Sequence, residues 1–414
     1  MRPLFIDLLF SWPPHGGGDV DMYHVVKGAA GAGLDPLLVL LKDNAWERGQ
    51  VQAELPFEHQ TIAFDPDRFT AEEVAEALRA LVAAVQPAFV FLGQGFFLKH
   101  LLVRAVPDSV PVISRLHAHE ALCFKDITRF RDGKPCPNAW FSTPDTCARC
   151  AMDYWAGAIR RNQVSPWLRE LLITRPWLPE IQQETRAALK KMYRALVYNQ
   201  DIADALSPLQ IPCQVIPSGI DLNHFPASPW DNVRREPPVV FMPGRAEDPV
   251  KGFSVLLRAC GMLIDRGISL ELRATIAPSP DLPEWVAPLG WLSRKDLYAH
   301  YAEAAVVAVP SVWEEPFGLT ALEAMAIGRP VIASAVGGLR ETVRHGETGL
   351  LVPPGDPVAL AEAIQELLTH PERAQDMGTR GSDRVKQYSW DHIMRQYYYP
   401  LWRPFLPEIP ADYA

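Results

Sequence analysis

Two stretches of this chain alternate short apolar runs with amphipathic ones, and that beat restricts the fold more than any single residue does. Buried parallel strands read as continuous apolar segments, and the helices between them return each strand to the same end of the sheet. The first stretch covers about 1–208. Residues 3–10 read as a strand, and the turn His15-Gly16-Gly17-Gly18 leads into a helix over about 20–32. Further strands are expected at 37–41, 89–92, 112–116 and 195–198. A helix is expected over Ala71–Val85, with Leu78, Leu81 and Val82 on one face. Residues 158–196 read as mostly helical, interrupted by Pro166, Pro176 and Pro179. After a turn-rich connection at 211–225 the beat resumes. Strands are expected at Val239–Met242, 270–274, Val306–Val309, 330–334 and Gly349–Val352. Helices are expected at 252–265, 297–303, 319–327, 338–344 and 357–368.

A chain of 414 residues exceeds what one core usually organises, so two domains are expected. The boundaries read as 1–210 and 211–385, with a tail over 386–414 whose Tyr397-Tyr398-Tyr399-Pro400-Leu401-Trp402 run needs burial, against the first domain. The formal net charge of −9 argues against a nucleic-acid partner, which needs a basic footprint. An anionic ligand would have to be met by a few local cations. Residues 1–10 are too short for the charged, apolar and cleavage regions of a signal peptide. No run of about eighteen apolar residues occurs, so a cytoplasmic protein is the expectation.

The segment from Glu315 to Ser334, EPFGLTALEAMAIGRPVIAS, carries the strongest chemical signal. Pro316 biases Glu315 away from helical geometry. Phe317-Gly318 makes a loop, and a helix starts near Leu319 with its N–H groups and positive dipole end exposed to whatever lies above the strand ends. Anions bind there in open α/β sheets. Glu323 lies within that helix, so two carboxylates flank an anion site and can accept hydroxyl hydrogen bonds. A pair of solvated glutamates on an ordinary helix fits the bare pattern equally well.

This segment resembles the E-x7-E motif of retaining GT-B glycosyltransferases of family 4. The likeness extends to Pro217–Asp221 (PSGID), Gly244–Phe253 (GRAEDPVKGF), Ala287–Ser311 and Ser334–Asp356, and so covers essentially the whole second domain. It implies an α/β GT-B fold, two Rossmann-like doubly wound domains facing a cleft. It also implies transfer of a sugar from a nucleotide diphosphate sugar to an acceptor hydroxyl, with the anomeric configuration retained and no catalytic metal. By resemblance Glu315 and the backbone of Phe317, Gly318 and Leu319 meet the donor sugar, Glu323 accepts from the ribose, and Arg245 and Lys251 offset the diphosphate. Gly16, Gly17 and Gly18 resemble the donor-facing loop, where glycine allows close backbone approach. The segment Pro111–Glu120 resembles the strand ending in the active-site histidine, which selects His117 with His119 as the alternate. Asp19-Val20-Asp21 and Asp65-Pro66-Asp67 then read as loop and cap chemistry.

Cys123, Cys136, Cys147 and Cys150 cluster in sequence, and the last two form a C-x2-C pair. Four thiolates in a reducing compartment suit a structural Zn²⁺ better than disulfides. A subset of family 4 sequences looks similar here, which implies an insertion over about 118–152 on the acceptor side. Four unliganded thiols are the other reading. Residues 158–196 carry eight Arg or Lys against three Glu, beside Trp167 and Trp177, so contact with an anionic membrane surface is open alongside a plain solvated helix face. The acceptor is expected to be a glycan, a lipid-linked sugar or a small molecule. Rival readings are a GT-B sugar phosphorylase, a sugar-nucleotide epimerase, a glycosidase, and a non-catalytic nucleotide-sugar or metal-binding partner protein.

Overall fold

The computed structural model describes residues 2–163, 165–225, 230 and 236–409. The chain divides into two compact units. Unit 1 comprises Met1–Arg129, Cys136–Gly219 and Trp390–Ala414, and unit 2 comprises Phe130–Pro135 and Ile220–Ser389. The main division falls after Gly219, in the turn-rich connection.

Unit 1 holds the strands β1 (Leu4–Asp7), β2 (Leu37–Asp43), β3 (Glu58–Phe64), β4 (Val90–Leu92) and β5 (Val112–Arg115). Next in sequence come a short antiparallel hairpin, β6 (Phe130–Arg131) and β7 (Lys134–Pro135), which is assigned to unit 2, and then β8 (Arg194–Val197) and β9 (Cys213–Val215) of unit 1. Seven of them form one parallel sheet in the order β3-β2-β1-β4-β5-β8-β9. Successive side chains of a strand face opposite sides of its sheet. Leu4 and Ile6 accordingly join one core with Leu78 and Leu81, while Phe5 joins another with Val25 and Val26. Both faces are covered, as all-parallel sheets require.

The aromatic tail belongs to the second of these cores. Tyr398 and Trp402 are fully buried, and the Trp402 ring lies 5.6 Å from Phe89 and 6.0 Å from Phe5. Burying one such side chain is worth about 1.5–3 kcal/mol. Gly28 makes the docking possible. A Cβ there would stand 2.5 Å from Met394, and its carbonyl accepts from the Tyr399 hydroxyl at 3.1 Å. Of the tail expected over 386–414, residues 410–414 lie outside the described residues.

Unit 2 holds β10 (Val239–Met242), β11 (Glu271–Ala274), β12 (Val286–Pro288), β13 (Val306–Val309), β14 (Val331–Ser334) and β15 (Gly349–Val352). They form a parallel sheet in the order β12-β11-β10-β13-β14-β15. Winding reverses between β10 and β13, and ligands of open α/β sheets bind at the C-terminal ends of the strands at such a reversal.

The expected βα beat matches most of the structure, which adds the helices Lys99–Ala105 and Gln200–Leu206, the hairpin β6–β7 and the strand β9, besides four further elements. β3 was not anticipated, because most of its residues are exposed and it lacks an apolar alternation. β12 has three residues, too short for a periodic signal. The helices Pro144–Arg160 and Pro371–Arg384 also went unread. The latter is largely polar and buries Ala374, Met377, Gly378 and Gly381, so small residues stand where an apolar stripe is normally sought. Among the described residues no helix is long and apolar enough to cross a membrane.

Candidate functional site

In unit 2 the chain leaves β13, forms a loop and enters the helix Leu319–Ala326. Gly318 caps that helix with φ of +98°, a left-handed conformation that favours glycine, and a Cβ there would meet Leu339 at 2.4 Å. The loop carries Glu315, which is buried. Lys251 Nζ donates to both its carboxylate oxygens, at 3.0 and 2.8 Å. Ser311 Oγ and Trp313 Nε1 donate to Oε2 at 3.0 and 2.9 Å. Burial alone would raise the Glu315 pKa, but the Lys251 ammonium and the two neutral donors override it and hold the carboxyl below its usual value. Glu315 is therefore a fixed anion beside a helix start.

Glu323 sits within the same helix and behaves oppositely. Burial raises its pKa, against a 2.8 Å hydrogen bond from the Tyr301 hydroxyl. Phe317 is buried against Tyr388, ring to ring at 5.8 Å, so its backbone is the part left for a ligand. The two candidate cations part company. Lys251 is committed to Glu315, whereas Arg245, just beyond β10, is 63% exposed and lies 3.7 Å from Asp248.

In unit 1 the helix after β1 starts at Gly17, earlier than expected, with Gly16 in ordinary extended geometry as its cap. Gly18 lies against two side chains. A Cβ on it would stand 3.1 Å from Gln94 and 3.4 Å from His117 Nδ1. Of the two histidines, His117 is thus the one beside the loop. His119 is buried, and its backbone N–H donates to Ile127. His117 Nδ1 lies 3.1 Å from the Tyr198 hydroxyl, and its buried Nε2 has no hydrogen-bond partner among the described residues. Burial first, then the Lys99 ammonium, lowers the His117 pKa to about 4, so the ring is neutral at physiological pH.

The surroundings of His117 are charged and closed. Glu120 accepts the backbone N–H of His117 and of Ala118, each at 2.7 Å, and pairs with Lys99 at 3.1 Å. The Arg115 guanidinium lies 3.8 Å from the Tyr198 ring centroid and donates to Asp21 at 3.3 Å. Ser218 completes Asp21 at 2.9 Å. Asp21 is therefore the buried counter-ion of Arg115, not a cap. Asp19 does serve the loop, accepting from His15 N and Gln94 Nε2, both at 2.8 Å. Asp65 forms a turn through its carbonyl, which accepts from Arg68 N and Phe69 N.

Among the described residues no group of three His, Cys, Asp or Glu is placed to hold a metal ion. Cys147 and Cys150 ride on the helix Pro144–Arg160, with Cys147 close enough to Cys136 and Cys150 to feel their charge. The Lys125 N–H donates to Cys123 Sγ, and burial pushes that thiol up to about 11. In the basic stretch, several cations serve unit 1 itself. Arg186 donates to the Phe141 carbonyl, Lys191 pairs with Asp108, and Arg169 pairs with Asp43. Ile159 and Leu172 are exposed.

Two α/β units, each built on a parallel sheet, with a carboxylate at the winding reversal of the second, make this a GT-B fold. Residues 237–370 match the family model described as Glycosyl transferases group 1. The chain is similar to the D-inositol 3-phosphate glycosyltransferase of Corynebacterium urealyticum, at 36% identity over 182 residues, 39% of this chain and 42% of that protein. It spans about half the length of the curated relatives it matches. Among solved structures, sucrose-phosphate synthase from Thermosynechococcus elongatus superposes with a TM-score of 0.68 at 23% identity, covering 98% of this chain and 100% of that one. Anabaena Alr3699/HepE in complex with UDP-glucose superposes with a TM-score of 0.64 at 17% identity, covering 97% and 99%. These two likenesses concern the fold.

Sequence reading had singled out Glu315, Lys251, Glu323, Gly18 and His117, but not their partners. Ser311 and Trp313 lie within four residues of Glu315, so nearness in sequence could have found them. Tyr198 and Gln94 follow the ends of β8 and β4, where site residues of α/β sheets gather, and that position was their only signal.

Proposed function

We propose that this chain is a retaining glycosyltransferase that moves a sugar from a nucleoside diphosphate sugar to an acceptor hydroxyl. The observation that carries it is Glu315: a carboxylate kept ionised by Lys251, Ser311 and Trp313 at the mouth of a helix, at the winding reversal of unit 2. An anion-binding helix start beside a fixed carboxylate suits a ligand that carries both phosphate and hydroxyl groups. The match to Glycosyl transferases group 1 over the same unit supports the reading, as does the fold shared with a protein that binds UDP-glucose.

In this reaction the bond between the anomeric carbon and the diphosphate oxygen breaks as the acceptor oxygen attacks on the same face. The acceptor proton passes to the departing diphosphate. Glu315 orients sugar hydroxyls, Lys251 and Arg245 offset the leaving charge, and the helix start at Phe317, Gly318 and Leu319 binds with its backbone. Glu323 meets the ribose. His117, neutral and with Nε2 unspent, and the loop at Gly16, Gly17 and Gly18 are the groups of unit 1 assigned to sugar and donor binding. Positioning and preorganised charge account for the rate, with no covalent nucleophile.

Titration calorimetry with a panel of nucleoside diphosphates and their sugars tests the proposal. At least one pair binds, and the purified protein releases nucleoside diphosphate from that donor, faster with an acceptor present. A protein that binds none of them is not a transferase of this kind.

A further inference from the structure

Glu323 has a partner that no sequence motif marks. Tyr301 lies on the helix Arg294–Glu303, which leads into β13, and Glu323 lies on the helix Leu319–Ala326, which follows β13. The Tyr301 hydroxyl stands 2.8 Å from Glu323 Oε2 and 3.2 Å from the Thr320 carbonyl oxygen. One side chain therefore ties the carboxylate to the first turn of its own helix, the end where backbone N–H groups are free for an anion.

The two residues differ in access. Tyr301 is fully buried, its ring edge-on to Phe241 at 5.2 Å. Glu323 is half-buried. Its Oε1 accepts no hydrogen bond among the described residues and is not enclosed by them. A carboxylate offers two acceptor oxygens, whereas a hydroxyl has one proton to give. The nearer acceptor for that proton is Glu323 Oε2, so Tyr301 commits this oxygen and stops the side chain from turning. Oε1 is then the oxygen left for a ligand. Burial raises the Glu323 pKa, and the Tyr301 hydrogen bond and then the Arg294 charge oppose that rise. Tyr301 thus also favours the ionised form, which accepts from a ligand hydroxyl and does not donate.

We propose that Tyr301 is the positioning residue for ribose recognition: it aims Glu323 Oε1, and the protein thereby tells a ribonucleotide from one that lacks the ribose hydroxyls. This rests on the function proposed above, in which Glu323 meets the ribose. Tyr301 does not touch the nucleotide. It fixes the spacing between the helix start that takes the diphosphate and the carboxylate that takes the ribose. Without it the carboxylate is free to turn, and ordering it again on binding weakens the contact.

Calorimetry on the full chain with UDP, GDP and ADP, each beside its 2′,3′-dideoxy form, tests this. The diphosphate that binds best does so about tenfold more tightly with its ribose hydroxyls than without them. Tyr301→Phe keeps the buried ring and removes the hydroxyl. It narrows that ratio by roughly three- to tenfold, while affinity for the dideoxy form stays the same. Glu323→Gln serves if Tyr301→Phe does not fold. An amide whose oxygen accepts from Tyr301 turns its NH2 group to the ligand, so this ratio narrows too. The proposal is overturned if the folded Tyr301→Phe protein, or Glu323→Gln in its place, keeps the wild-type ratio. It is also overturned if Tyr301→Phe weakens both forms alike, as a merely structural loss would. A wild type that binds both forms equally removes this inference and leaves the transferase reading. A wild type that binds no diphosphate removes both.

Discussion

Lys251 Nζ lies 2.8 and 3.0 Å from the two carboxylate oxygens of Glu315, although 64 residues separate them in sequence. Lys251 precedes a helix that follows β10, and Glu315 follows β13, so the reversal between adjacent strands is what brings them together. The pair answers two demands. A buried carboxylate needs a counter-charge, and a cation intended for a diphosphate needs an anchor until the ligand arrives.

Glu315→Gln should leave the fold intact and lower transfer by about ten- to a hundredfold, since charge-assisted hydrogen bonds to the sugar contribute roughly 1.5–3 kcal/mol. Steady-state rates on purified protein decide it. Turnover equal to wild type would take Glu315 out of the site.

Lys251→Met should act on binding and on acid stability. Nucleoside diphosphate affinity falls while free-sugar affinity does not, as calorimetry would show. The sign of the stability effect follows from the Glu315 carboxyl, whose pKa is held low in the fold. Such a group contributes stability above its ordinary pKa and loses it as pH falls through the lowered one. Without Lys251 the carboxyl is no longer held as low, so the variant loses less stability than the wild type as pH falls. Thermal melts below pH 6 that superpose on the wild type would show the ion pair to be energetically idle.

His117 should be uncharged at pH 5.5. Its folded pKa is lowered to about 4, so its stabilising contribution is present above the ordinary value near 6.5 and fades as pH drops toward 4. Heteronuclear NMR of the imidazole should show the neutral ring, and the rate profile should have no limb near pH 6.5 from this residue. Tyr198→Phe keeps the ring under Arg115 but removes the hydroxyl at Nδ1. It should slow transfer by roughly three- to tenfold with little change in melting temperature. An imidazole titrating near pH 6.5 would contradict the buried setting.

Much of the frame was legible because strand and helix signals are local. Val239–Met242, Val306–Val309 and Gly349–Val352 are strands with the bounds their apolar runs set out. The polar partners were not, because nothing local ties Tyr198 to His117 or Tyr301 to Glu323. Those contacts exist only once strands are ordered. The four cysteines do not share one element: Cys147 and Cys150 ride on the helix Pro144–Arg160, whereas Cys123 and Cys136 precede it on either side of the hairpin β6–β7. A motif in sequence fixes only the residues that share one element.

Glu170 should make the protein less stable as pH rises through the neutral range. Its carboxyl, buried against Phe97 and Leu98, has a folded pKa of about 8 against an ordinary 4.5. Between those values the unfolded chain releases this proton while the folded chain keeps it. The unfolded state therefore binds fewer protons, and stability falls with increasing pH. Asp7, raised to about 7 for the same reason of burial, gives a parallel slope, so the test must be a difference between proteins. Glu170→Gln is neutral at every pH, and its amide oxygen can still accept the Phe97 N–H. The variant should match the wild type near pH 5 and exceed it by pH 8, and the gap in melting temperature should open steadily between. Parallel melting curves across pH 5–8 would mean that Glu170 is ionised in the fold.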